Sequence, residues 1–246
     1  MIRLKFLGGA IVEGGPGGVT GLASRRHPLA ILALLATAPS QTLSRSKLVG
    51  LLWPDSPEEK GRNRLNTYLH RIRSELGNDA VASVGDDLRL DGNTVDCDVC
   101  RFEEALEAGD HERAVRLYSG PFLDGFHLGG SAEFEHHVDR ERARMRRGYR
   151  RALEALAEEA EEHGEPDAAA RWWRERANDD PYDSGVARRL MEALAKTGNP
   201  ASALRVARVH TQLLEQEFGT EPIHRPRGGT SPRPHRRPGD RGRRAW

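Results

Sequence analysis

Residues 48–77 read LVGLLWPDSPEEKGRNRLNTYLHRIRSELG. The stretch holds two helical patterns separated by a break. Ser44 is placed to cap a short helix carrying Leu48, Leu51, Leu52 and Trp53, and Pro54 stops it. Ser56-Pro57-Glu58-Glu59 opens a second helix, with Ser56 expected as N-cap, Pro57 at the first helical position and acids in the first turn. Gly77 closes it. At 100° per residue Leu65, Tyr68, Leu69, Ile72 and Leu76 share a stripe of roughly 100°, wide enough to be the packed face. The opposite arc carries Arg62, Asn63, Arg64, Asn66, Thr67, His70, Arg71, Arg73 and Ser74, and no acid occurs from Arg62 to Ser74. With acids at about 15% of the chain, such an acid-free run arises by chance about one time in eight, so charge count alone decides little. Residue type says more. Arginine can read guanine edges, asparagine adenine, and threonine or serine either, whereas an ordinary solvated face mixes glutamate with lysine four residues apart.

The flanking sequence supplies the context. Ile2 to Leu7 (IRLKFL) alternates apolar and basic residues, the pattern of a half-buried strand. A Gly8-Gly9 turn, a strand over 10–13, a glycine loop over 14–18 and a third strand over 19–22 follow as expectations. Leu29, Leu32, Leu35 and Ala36 mark a helix that Pro39 ends. After Gly77, residues 81–84 and 88–90 are short strands around a turn at Gly85-Asp86-Asp87. Residues 1–92 therefore read as strands, three helices and a hairpin. The order is helix-turn-helix with a hairpin where a wing belongs.

Beyond Cys100 the pattern is helical, with helices expected over 101–108, 111–118, 131–163, 166–178, 183–196 and 200–217. Gly164-Glu-Pro-Asp-Ala-Ala returns as Gly198-Asn-Pro-Ala-Ser-Ala, 34 residues later, the period of tetratricopeptide hairpins. Trp172 and Trp173 cannot both face one core, so one of them is expected in a groove.

The 246 residues carry 38 basic and 37 acidic side chains. Ile223 to Trp246 holds eight of the arginines and one of the aspartates, leaving 30 basic against 36 acidic residues before it, a net of −6. An acidic body thus precedes an Arg/Pro-rich segment whose composition predicts a disordered tail. No apolar run approaches a membrane span and no signal peptide is evident, so the chain reads as soluble and cytoplasmic with no membrane partner. Cys97-Asp98-Val99-Cys100 is a lone C-x-x-C without the second ligand pair of a structural zinc site or the βαβ setting of a redox pair. His136 and His137 are adjacent on a helix and cannot grip one ion as an i,i+4 pair would. No phosphate loop, dinucleotide fingerprint or nucleophile elbow occurs. Neither cofactor, metal nor catalytic centre is expected, and the chain does not read as an enzyme.

The run over 48–77, with its preceding strands and following hairpin, resembles an OmpR-type winged helix, and more closely the amino-terminal domain of SARP-like regulators. The segments "VDCDVCRFEEAL", "LYSGPFLDGF", "EFEHHVDRERARMRRGYRRALEALA", "DDPYDSGVARRLMEALAKTGNPASAL" and "LLEQEFGTEP" resemble the bacterial transcriptional activator domain, a tetratricopeptide-like helical module. The resemblance covers about residues 1–222. It implies a mainly α architecture: a winged helix-turn-helix (α+β) over 1–92, a helical domain over 96–222 and the tail over 223–246. It implies a promoter-binding activator whose helical domain supports a homodimer or contact with RNA polymerase. By position, Asn66, Thr67, His70 and Arg71 would face bases. Asn63, Arg64 and Arg73 would meet phosphates, and Arg89 would be the wing arginine. Asp86 and Asp87 beside Arg89 depart from the pattern, because acids repel a phosphate backbone. The rival reading is a tetratricopeptide-type protein-interaction scaffold without specific DNA binding.

Overall fold

The computed structural model describes residues 1–14, 21 and 25–219. The expected strand over 19–22 and the expected tail over 223–246 therefore lie outside the described residues, Gly21 apart. Strands β1 (Ile2–Lys5) and β2 (Ile11–Glu13) are followed by helix α1 (Arg26–Ala36), strand β3 (Thr42–Ser44), and helices α2 (Arg45–Leu52) and α3 (Glu58–Leu76). Strands β4 (Val81–Val84), β5 (Asp87–Leu90) and β6 (Val95–Cys97) come next. The rest is helical: α4 (Asp98–Glu107), α5 (His111–Leu117), α6 (Ala132–Glu162), α7 (Pro166–Asp179), α8 (Ser184–Lys196) and α9 (Pro200–Phe218). The mainly α class with a winged helix-turn-helix ahead of a helical module is the observed architecture.

Two small sheets organise the amino-terminal half. In one, β1 is central, antiparallel to β2 and parallel to β6. In the other, β5 is central between β3 and β4. β3 and β6 were not expected from the sequence. Each is three residues long, too short for an alternation to show. α1 is apolar nearly all round and buried from Pro28 to Ala36, as the central helix of this half must be. At the start of α3 the expected cap differs. Pro57, not Ser56, occupies the N-cap position without a side-chain hydrogen bond, and the Ser56 hydroxyl accepts from Arg64 instead. Ser44 caps α2 as expected, accepting from the Lys47 amide.

One apolar core runs from β1 through α1–α3 and on into α4, α5 and the first half of α6. Its polar ties are specific. The Asp98 carboxylate accepts from the Phe6, Leu7 and Val99 amides. The segment 119–126 threads between β1 and α6. There the Gly8 amide donates to the Pro121 carbonyl, the Leu123 amide donates to the Phe6 carbonyl, and the Arg142 guanidinium holds the Phe122 and Leu123 carbonyls. Ser131 caps α6 and donates its hydroxyl to the Leu51 carbonyl of α2. His137 on α6 meets the Thr37 hydroxyl at the end of α1, at 3.2 Å. These ties fix α2, and with it α3, against the long helix α6.

The second half of α6 with α7, α8 and α9 forms two stacked hairpins around a smaller core of Ala157, Ala169, Trp173, Leu190 and Leu194. Trp173 is buried and its indole N–H donates to Glu161, whereas Trp172 lines a groove. The buried Arg176 bridges Glu154 on α6 and Asp183 at the start of α8.

Candidate nucleic-acid interface

α3 buries Gly61, Leu65, Leu69, Ile72 and Leu76, while Tyr68 of the expected stripe is half-buried. Gly61 is required by contact. A Cβ there would stand 2.4 Å from the Val49 Cγ1 methyl of α2, so this residue sets how closely the two helices pack. Val49 is β-branched and has little freedom to turn away. Tyr68 completes the packing in a flat stack with His27 of α1 and Trp53 at the end of α2. The ring centroids lie 5.1 to 5.9 Å apart and the planes within 11° of one another. This stack joins all three helices beside the outer face of α3.

Burial, and the nearby positive charge of Arg64, hold the His27 imidazole below its ordinary value. Burial does the same at His137, against the opposing pull of Glu141. The sign of the linkage follows. A histidine whose folded value is depressed binds fewer protons folded than unfolded, so its contribution is complete above the unfolded value and is lost as pH falls from there through the folded value. The midpoint of urea unfolding is therefore expected to be lower at about pH 5.5 than at about pH 7.5. His27→Phe, which keeps a flat ring and cannot take a proton, is expected to lessen that drop. An equal drop in the variant would remove His27 from the account.

On the outer face Asn63, Arg64, Asn66, Thr67, His70 and Arg71 are all exposed. Thr67 bonds back to the Asn63 carbonyl, Arg64 donates to Ser56, and the Arg71 guanidinium lies 5.9 Å from the centre of the Tyr68 ring. Arg89 is exposed on β5, between the buried Leu88 and Leu90. Arg73 is placed differently from the other predicted contacts. Its guanidinium turns to the wing and donates twice to the Val81 carbonyl, at 3.0 and 2.9 Å, and once to the Ser83 hydroxyl at 2.9 Å. A side chain so engaged ties α3 to β4.

Two further arginines that sequence reasoning left out of the site bind the wing to the helices. Arg62 on α3 donates to Glu58, to Ser46 of α2 and to Asp86 in the wing turn. Asp86, one of the two wing acids, is thereby partly neutralised. Arg45, the first residue of α2, donates to the Asn66 side-chain oxygen at 2.9 Å and to the Ser83 hydroxyl at 3.1 Å. The exposed face of α3 is thus flanked by a wing held at three points, through Arg45, Arg62 and Arg73.

No helix among the described residues is long and apolar enough to cross a membrane. Residues 22–86 match the family described as "Transcriptional regulatory protein, C terminal", and residues 96–227 match the bacterial transcriptional activator domain. Among curated proteins none matches. A solved structure of Mycobacterium tuberculosis EmbR, in complex with a low-affinity phosphopeptide, is similar in fold, with a TM-score of 0.58 at 20% sequence identity. The alignment covers 91% of this chain but 62% of that one, so the present chain spans less than two thirds of EmbR's length. Both matched families are transcription regulators and not enzymes. With a winged helix-turn-helix ahead of it and its own match extending over more than half of the residues, this chain belongs to the bacterial transcriptional activator domain family.

Proposed function

We propose that this protein is a sequence-specific transcriptional activator in which residues 1–92 read promoter DNA and residues 96–222 serve self-association or contact with RNA polymerase. In this reading α3 enters the major groove, Asn66, Thr67, His70 and Arg71 meet base edges, and Asn63, Arg64 and Arg89 meet phosphates. Arg73 acts indirectly, by holding the wing. The observation that carries the reading is the exposed, acid-free outer face of α3 beside a three-point wing, on a chain whose first 222 residues are otherwise net acidic. The ties from α2 to α6 support a second element of it: whatever assembles on the helical domain also fixes the spacing of two reading heads.

The test is sequencing of DNA fragments retained by the purified protein from a random pool. A shared motif is the expected result, and a direct repeat of that motif would mean that two copies bind side by side. Absence of any enriched motif would reject the reading. One feature favours the scaffold alternative, a groove of about 470 Å³ between α5, α6 and α7 lined by His111, Leu156, His163 and Trp172. That alternative predicts retention of peptides and no DNA motif.

A further inference from the structure

We propose that Arg45 sets the base preference of Asn66 by fixing which end of its amide is free, so that this position of α3 favours guanine over adenine. The inference rests on the reading of α3 as the DNA-reading helix.

The geometry is a chain of donors. One terminal nitrogen of Arg45 donates to the Asn66 oxygen at 2.9 Å, and the other donates to the Ser83 hydroxyl at 3.1 Å. A guanidinium carries five N–H donors and no acceptor. The amide atom turned toward it is therefore the oxygen, since the flipped amide would set N–H against N–H. The bond is charge-assisted and about twice as strong as a neutral one, so the flipped state is strongly disfavoured. Arg45 is itself held in place, because Ser83 also accepts from Arg73, which in turn grips the Val81 carbonyl. Asn66 thus presents a pre-set amide on an exposed position: its NH₂ group, with two donors, makes no hydrogen bond among the described residues, and its oxygen is already shared with a cation.

A free asparagine suits adenine, because it can give a proton to N7 and take one from the N6 amino group at the same time. With the oxygen engaged, the acceptor half of that pairing is weakened. Guanine offers two acceptors, N7 and O6, to the two donors that remain. Adenine's amino group would instead face a donor. The position therefore discriminates through Arg45, a residue on a different helix that need not touch the base.

The experiment compares motifs selected from one randomised DNA pool by the full chain and by Arg45→Ala, Arg45→Met, Arg45→Lys and Asn66→Ala. The parent motif is expected to contain a guanine that Asn66→Ala no longer selects. Arg45→Ala, and Arg45→Met, which keeps the aliphatic stem, are expected to move that one position toward adenine by about tenfold in relative enrichment. The other positions should stay as they are, because Arg73 still holds Ser83. Arg45→Lys retains a cationic donor for the Asn66 oxygen and is expected to keep the guanine. A merely structural Arg45 would weaken every position alike, and that outcome overturns the proposal. So does an unchanged guanine in Arg45→Ala and Arg45→Met, or adenine at the Asn66-dependent position of the parent. If the parent enriches no motif, the DNA reading itself falls and takes this proposal with it.

Discussion

Asp98→Ala is expected to lower the unfolding free energy by about 3 to 5 kcal/mol, since each donor left unsatisfied in a buried site costs about 1 to 3 kcal/mol. The carboxylate accepts from three amides. Phe6 N–H lies 2.9 Å from both oxygens, Leu7 N–H 2.9 Å from one, and Val99 N–H 2.7 Å from the other. Phe6 and Leu7 are buried at the end of β1, where little water can replace the lost acceptor. Burial raises the Asp98 carboxyl above its ordinary value even against the pull of these amides, so its contribution lies in satisfying them and not in the charge as such. Asp98→Asn sharpens the point. Donors converge on both carboxylate oxygens, so either orientation of an amide sets its NH₂ group against a backbone N–H. The asparagine variant should therefore lose nearly as much stability as the alanine variant. Urea unfolding of parent and variants checks this. A loss below about 1 kcal/mol in both would mean that the strand end shifts or hydrates at little cost.

Asp98 also illustrates what the sequence hides. It stands inside Cys97-Asp98-Val99-Cys100, where attention goes to the thiols, yet its partners lie 91 and 92 residues earlier in the chain. Periodicity and breakers reveal helices well: α1, α2 and α3 and the six later helices start and stop within a few residues of their expected bounds. They cannot reveal β6, whose three residues are a strand only because β1 is beside them. The same division holds at the candidate site. A helical wheel separates the buried stripe of α3 from its outer arc, because that depends on Cα positions alone. It cannot say where a long side chain ends. Arg73 lies on the arc but reaches the Val81 carbonyl, and Arg62 reaches the wing turn. Arg45 is on another helix, and only the fold brings it to Asn66.

Asn66→Ala and Arg71→Ala are each expected to weaken binding to the selected motif about 10- to 100-fold, the worth of roughly 1 to 3 kcal/mol per good base contact. Together they should bring affinity down to that for unrelated DNA. Both side chains are exposed, and their removal leaves the Leu65, Leu69, Ile72 and Leu76 stripe untouched. Each variant should therefore keep its unfolding midpoint to within about 0.5 kcal/mol of the parent's stability. That pairing of a large binding loss with intact stability separates a reading face from a packing face. The salt dependence separates reading from phosphate contact. Asn66→Ala removes no charge and should leave the slope of log K against log salt unchanged, whereas loss of one phosphate-bound cation lowers it by about one. Arg73→Ala is the instructive contrast. Its guanidinium is engaged by Val81 and Ser83, so its removal should free β4 and cost measurable stability, with no loss of a phosphate contact and no change of about one in the slope. Titration of labelled motif and scrambled duplexes at several salt concentrations yields all of these quantities. If Asn66→Ala and Arg71→Ala bind the motif as the parent does, α3 is not the element that reads it, and the exposed arc is only the solvated side of a packed helix.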